Sequence, residues 1–296
     1  TVSPVLADVP ESTILYIPFS LSPLALGGSA FAQTQGKIGS DVPSINDPAY
    51  FRTVFDTLQK LVAERRILAM HDISAGGLIV TLLEMTFANT EGGLEIDTQA
   101  MSALGETDTI KILFAENPAV AVQIADGQQL EAVTAILEES GVKSVVLGHP
   151  SEERVLNISD GNGGEWLLGI DWLRDIWFRP SYLLDTLQSG EKCALDRFEN
   201  YRKQPVIYNI PDSWDGTLAS RGISHSRKDR SGIRAAIIRE KGVNGDREMA
   251  YALHLAGFDV KDVHMTDLTS GRETLDDINM IVFCGGFSNS DVLGSA

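Results

Sequence analysis

Between residues 46 and 67 the apolar positions Phe51, Val54, Phe55, Leu58, Leu61 and Val62 recur at the helical interval. That spacing predicts a helix with one buried face, with Pro48 in its first turn and Asn46 or Asp47 as its cap. Upstream, STILYIPFS (12–20) has the length and β-branched content of a strand. LAMH (68–71) predicts a short buried strand, and the run from Leu78 to Asn89 is apolar nearly all round, which predicts a helix buried on several sides. GGLEID, IKILF and AVAVQIA then read as three strands, and GQQLEAVTAILEES (127–140) as an amphipathic helix ended by Gly141. SVVLGH, RVLNIS and EWLLGI are strands, the last two joined by the hairpin signal DGNGG. WLRDIWFRPSYLLDTLQ begins as a helix that Pro180 is expected to kink or restart.

From Ser189 to Ser231 no period is sustained, which predicts a linker and a domain boundary. After it, IRAAIIRE, NGDREMAYALHLAGF, DVKDVHM, ETLDDI and NMIVFCGGFS alternate strand and helix, the pattern of a parallel sheet with right-handed crossovers. Only three strands fit before the last residue, so this unit reads as the opening of a flavodoxin-like domain. The chain starts TVSPVLADVP without Met and stops after SDVLGSA, and both ends look cut from something longer.

Composition narrows the picture. The 296 residues are 43% hydrophobic and 22% charged, with a net charge of −17, which argues against non-specific binding to nucleic acid or anionic membranes. An anionic substrate therefore needs local compensation. The longest apolar stretch is too short for a membrane span and contains Glu84. Cys193 and Cys284 lie far apart and follow no metal-ligand spacing, which points to a reducing, cytoplasmic setting.

The candidate chemistry concentrates at HDISAGGL (71–78), where a strand gives way to a helix. A carboxylate at a strand end suits Mg²⁺, which takes one or two protein carboxylates plus phosphates and water, so Asp72 is a candidate ligand. Ser74 adds a hydroxyl, and Gly76 and Gly77 let backbone approach a ligand at the helix start. The same residues also suit a bland junction in which Asp72 or Ser74 caps the helix and the glycines ease packing. LGGSAFAQ (26–33) offers a second glycine turn, with Gly27, Gly28 and Ser29 as a possible phosphate or substrate cradle or a plain cap. Glu116 and Asn117, within FAENP, read as an exposed turn, and His71 as a structural histidine. Cys284 reads as a buried strand cysteine, while Gly285 and Gly286 sit where amides at the end of a parallel strand can form an oxyanion hole.

These motifs together carry a resemblance. HDISAGGLIVTLLEM, with LGGSAFAQ upstream and KILFAEN downstream, resembles the carboxyl-terminal lobe of the second synthetase half of the phosphoribosylformylglycinamidine synthases, the large single-chain formylglycinamide ribonucleotide amidotransferases. The stretch from IIREKGVNGDREMAYALHLAGF to GGFSNSDVLG resembles the start of their class I glutamine amidotransferase domain. The resemblance implies an α/β chain: residues 1–188 an aminoimidazole ribonucleotide synthetase-like lobe with a mixed sheet and packed helices, 189–231 a linker, and 232–296 a truncated flavodoxin-like unit.

It also implies a ligase of purine biosynthesis. ATP activates an amide oxygen of formylglycinamide ribonucleotide as an iminophosphate, and ammonia from glutamine displaces the phosphate. Asp72 then takes the Mg²⁺ role, Ser74 contacts ATP, and Gly285 and Gly286 line the glutaminase oxyanion hole. The remaining domains of the same chain are its partners. No catalytic nucleophile lies within these residues, since the glutaminase cysteine and its His and Glu fall beyond Ala296. The 296 residues alone are thus expected to be inert, and a non-catalytic nucleotide-holding or scaffold module, or another synthetase of the superfamily, stands as the alternative. Three places differ from the family pattern: Ala75 where an acid is frequent, SLSPLA ahead of LGGS in place of a Gly-Lys-rich lead, and Phe287-Ser288-Asn289-Ser290-Asp291 in place of F-S-Y-G-D.

Overall fold

The first strand, β1 (Ser12–Pro18), is buried at every position. The computed structural model, which describes residues 2–200 and 209–287, explains why: β1 is an interior strand, third in the order of a seven-stranded sheet. The chain divides into two units, Thr1–Pro205 and Val206–Ala296. In the first, β1 is followed by α1 (Ala30–Thr34), α2 (Pro48–Ala63), β2 (Ala69–Ile73), α3 (Gly77–Phe87), β3 (Gly93–Asp97) and a 3-10 turn at Thr98–Leu104. Then come α4 (Thr109–Phe114), β4 (Ala119–Ala125), α5 (Gln128–Glu139), β5 (Val145–Ser151), β6 (Val155–Ser159), β7 (Glu165–Gly169), α6 (Ile170–Ser189) and α7 (Glu191–Glu199).

The sheet runs β2-β4-β1-β5-β3-β6-β7 and is mixed: β3 and β6 are parallel and every other pair is antiparallel. Alternation along β1 feeds two cores. Ile14 and Tyr16 pack with Leu78, Leu82 and Met85 of α3, whereas Leu15 and Ile17 pack with Val54, Leu58 and Leu61 of α2 and Val133 and Leu137 of α5. Each fully buried aliphatic side chain contributes about 1.5–3 kcal/mol. These two layers fix β2, the edge strand that carries the HDISAGGL junction.

Arg154 closes the far end of α3. Its guanidinium donates to the carbonyls of Thr86, Asn89 and Gly92 and to Asp171 Oδ1, at 2.6 to 3.1 Å. Helix-terminal carbonyls lack intrahelical partners, and a planar fork of donors satisfies several at once. A lysine keeps the charge but not the fork. Arg154→Lys is therefore expected to lower stability by about 2 kcal/mol, read as a lower urea midpoint at unchanged slope.

The second unit is a parallel sheet in the order β10-β8-β9, built from β8 (Arg234–Arg239), α8 (Asp246–Leu255), β9 (Asp259–His264), α9 (Met265–Thr269) and β10 (Met280–Phe283). Ala235 and Ile237 pack with Leu253 on one face, and Ala236, Ile238 and Val263 with Met265 and Leu268 on the other. The β-α-β-α-β pattern is as expected, and Cys284 lies half-buried against the first of these clusters.

Four local expectations change. IKILF is not a strand but α4, because Asp108 Oδ1 accepts from the amides of Ile110 and Lys111 and starts a helix too short for its period to show. Pro180 neither ends nor restarts α6, which runs on to Ser189. Pro180 and Ile176, whose carbonyl loses its partner there, are both exposed, so water can take the lost bond. Phe55, expected on the buried face of α2, is 48% exposed. The expected linker begins as α7, held to α6 by Arg174, which donates to Phe198 O at 3.1 Å and stacks over the Phe178 and Phe198 rings.

Candidate functional site

Asp72 occupies the penultimate position of β2, paired with Val120 of β4. Its backbone is held twice: the His71 Nδ1–H donates to Asp72 O at 2.8 Å, and the Thr81 hydroxyl of α3 donates to the same oxygen at 2.9 Å. The carboxylate, in contrast, is 72% exposed, with only the His71 ring 3.5 Å away. His71 is held on its other side by Glu84 of α3, 3.4 Å from Nε2. The ring is thus a spacer between α3 and the Asp72 peptide, the structural role expected for it.

Ser74 is exposed, and its hydroxyl makes no hydrogen bond among the described residues. Its carbonyl accepts from Gly77 N at 3.0 Å, which closes the turn. Neither Asp72 nor Ser74 caps α3: the cap position is Gly76, at φ +94°, with no side-chain hydrogen bond. The capping alternative for these two residues is therefore overturned, while the packing role of the glycines holds. A Cβ on Gly77, at φ +75°, would lie 2.6 Å from Leu113 O and 2.8 Å from the Phe114 backbone.

The second glycine turn is built differently. Ser29 is buried and caps α1, accepting from Ala32 N at 3.2 Å and donating to Leu26 O at 2.6 Å. Gly27 N and Gly28 N donate to the carbonyls of Asp41 and Ile38 at 2.6 and 2.7 Å. The Gly27, Gly28 and Ser29 groups are thus committed within the turn. Beside this stretch, a cavity of about 150 Å³ is lined by Tyr16, Ser20, Leu24, Met101 and Glu106, and burial pushes the Tyr16 phenol well above its ordinary pKa.

FAENP is not an exposed turn. Asn117 is 2% exposed, its Oδ1 accepting from Ala25 N at 3.0 Å and its Nδ2 donating to Pro23 O at 3.1 Å. Glu116 Oε1 accepts from both Gly76 N and Ala30 N, each at 2.8 Å. LGGSAF, HDISAGG and FAEN thereby meet at one carboxylate. Sequence reasoning read Glu116 as part of an exposed turn and missed Thr81 and Glu84; the signal available for Glu116 was a carboxylate between an apolar run and a buried strand, preceded in sequence by two glycine turns whose amides need acceptors.

In the second unit Gly285 and Gly286 follow β10. Gly285 O accepts from Asn244 N at 3.0 Å, and Phe287 N donates to Gly242 O at 2.9 Å. A Cβ on Gly286 would lie 2.5 Å from Gly242 O, so this strand end sits tight against the 242–244 turn. Ser288, Asn289, Ser290 and Asp291 lie outside the described residues. Among the described residues, no group of three His, Cys, Asp or Glu side chains could hold a metal. No helix there is long and apolar enough to cross a membrane.

A mixed sheet with helices on both faces and a glycine-rich strand–helix junction, followed by a small parallel unit, defines an α/β protein of two units. Comparison with known proteins agrees. The family of AIR synthase related proteins, through its C-terminal domain, matches residues 12–160, half of the chain, and the CobB/CobQ-like glutamine amidotransferase domain matches residues 232–296. The chain belongs to the AIR synthase related family.

More particularly, it is 36% identical, over 97% of its length, to the probable phosphoribosylformylglycinamidine synthase, chloroplastic/mitochondrial, of Arabidopsis thaliana. It is 34% identical, over 96% of its length, to the phosphoribosylformylglycinamidine synthase of Homo sapiens. The resemblance read from the motifs is thus borne out. The chain spans about a fifth of these relatives, 20% and 21% of their lengths. Among solved structures, PurLQS from Thermotoga maritima aligns with a TM-score of 0.45 at 19% identity, over 57% of this chain and 27% of that one.

Proposed function

We propose that this chain carries part of the nucleotide site of a glutamine-dependent carbon–nitrogen ligase that converts formylglycinamide ribonucleotide to formylglycinamidine ribonucleotide. In that reaction ATP phosphorylates the amide oxygen, ammonia adds to the activated carbon, and phosphate leaves with the oxygen, giving the amidine, ADP and phosphate. One observation carries the reading. At the HDISAGGL junction the backbone is pinned by two hydrogen bonds to Asp72 O, while the side chains of Asp72, with only the His71 ring 3.5 Å away, and of Ser74 are exposed to solvent. A strand end held rigid, with a carboxylate and a hydroxyl open to solvent, is placed to meet a ligand.

In this reading Asp72 supplies one anionic oxygen to Mg²⁺ and Ser74 contacts ATP. A single exposed carboxylate fits Mg²⁺, which completes its shell with nucleotide phosphates, water and residues outside this chain; bound there, the ion neutralises phosphate charge that a chain of net charge −17 otherwise repels. The turn amides of Gly27, Gly28, Ser29, Gly76 and Gly77 shape the cleft wall rather than grip phosphate, since their hydrogen bonds are internal. Gly285 and Gly286 belong to the glutaminase half as oxyanion-hole residues. The division into a lobe at 1–188, a linker at 189–231 and a glutaminase opening at 232–296 goes with this reading, as does a cytoplasmic setting. The test is to supply the full-length protein with formylglycinamide ribonucleotide, ATP, Mg²⁺ and free ammonium. ATP-dependent amidine formation is expected, and its absence, with the protein folded, overturns the reading.

A further inference from the structure

Gly76 and Ala30 belong to turns far apart in sequence, and their amides donate to a single oxygen, Glu116 Oε1. The strap that carries Glu116 is itself fixed on three sides. Phe114 stacks on Phe31 of α1 with ring centroids 4.7 Å apart, Gly77 lies against the Leu113 and Phe114 backbone, and Asn117 is bonded to Pro23 O and Ala25 N. An amide pair at two turn ends carries partial positive charge, and an anionic acceptor between them makes both bonds charge-assisted. We propose that Glu116 is a positioning residue: its carboxylate locks the 26–30 turn and the 72–77 junction into one unit, and so sets where Asp72 and Ser74 stand when nucleotide binds. The second half of this statement rests on the assignment of Asp72 and Ser74 to the nucleotide site.

The test separates a positioning role from general support of the fold. In the full-length protein, with ammonium as nitrogen donor, Glu116→Ala is expected to raise the KM for ATP by about tenfold or more, with a smaller change in kcat. Glu116→Gln, which keeps an acceptor oxygen at the same reach, is expected to recover to within about threefold of wild type. Arg154→Lys serves as the control, because it weakens the fold at the opposite end of α3 and should leave the KM unmoved. In the 296-residue chain, hydrogen exchange at the Ala30 and Gly76 amides should accelerate together in Glu116→Ala and be restored in Glu116→Gln.

An unchanged KM in Glu116→Ala, an equal rise in the Arg154→Lys control, or retained protection at either amide would each overturn the proposal. If the wild-type protein shows no ATP-dependent turnover, the functional reading fails separately. The paired amides then decide whether Glu116 joins the two turns.

Discussion

Replacing Asp72 by asparagine in the full-length protein is expected to cut ammonium-driven amidine formation by about a hundredfold or more, while leaving the fold intact. The two halves of that expectation come from different atoms of one residue. What the fold uses is the Asp72 carbonyl, which accepts from His71 and from Thr81 and is untouched by the substitution. The carboxylate is 72% exposed, with one contact, the His71 ring at 3.5 Å, so its loss should shift stability by no more than about 0.5 kcal/mol. Magnesium, a hard cation, exchanges a charged oxygen for a neutral amide oxygen at this position, and the charge it neutralises on the transferred phosphoryl group is largest in the transition state.

Raising Mg²⁺ should restore part of the Asp72→Asn activity, because a weakened ligand set is refilled by mass action. Free ammonium bypasses the glutaminase, so a loss seen with it belongs to the synthetase half. Wild-type turnover by Asp72→Asn, at unchanged Mg²⁺ dependence, would return HDISAGGL to a structural turn.

How much of this was legible before the fold was known depends on the scale at which residues act. Long periodic segments announced themselves: the 46–67 pattern gave α2, with Asp47 as the cap, accepting from Ala49 N and Tyr50 N at 3.0 Å. DGNGG gave the β6–β7 hairpin, where Asp160 Oδ1 accepts from Asn162 N and Gly164 N at 2.8 Å. IKILF failed because four apolar residues carry no period, and the deciding signal lay in Asp108, a cap outside the run. The restart expected at Pro180 does not occur, because Pro180 and Ile176 lie on the exposed side of α6, a fact that only its packing settles.

The site shows the same division. Asp72 and Ser74 stand out as candidates in local chemistry, a carboxylate and a hydroxyl where a strand meets a helix, although that chemistry also suits a plain turn and only the resemblance gives them roles. Glu116 does not, because its importance is a tertiary fact: its two donors come from turns 40 and 86 residues before it in sequence. Gly27, Gly28 and Ser29 looked like a cradle because their motif is glycine-rich, yet the partners of their amides, Asp41 O and Ile38 O, lie in a loop with no pattern of its own. A glycine turn reads the same in sequence whether its amides face a ligand or the chain.

That distinction gives the second large effect. Gly77→Ala is expected to destabilise the first unit by about 3–5 kcal/mol, and Gly28→Ala by only about 1–2 kcal/mol, though the two glycines have nearly the same φ. Both have a positive φ, +75° and +77°, so both replacements meet a torsional cost. A methyl on Gly28 meets nothing within 4 Å, whereas one on Gly77 is driven to 2.6 Å from Leu113 O and 2.8 Å from the Phe114 backbone. Backbone cannot rotate aside as a side chain can, so α3 or the end of α4 must move. Either movement pulls on the strap that ends in Glu116, and through it on the junction that presents Asp72. Gly77→Ala is thus expected to lower the urea midpoint far more than Gly28→Ala and to speed exchange at the Gly76 and Ala30 amides. Equal losses of stability from the two substitutions would mean that close backbone approach is not what Gly77 provides, and that α3 and α4 are less tightly joined than these distances require.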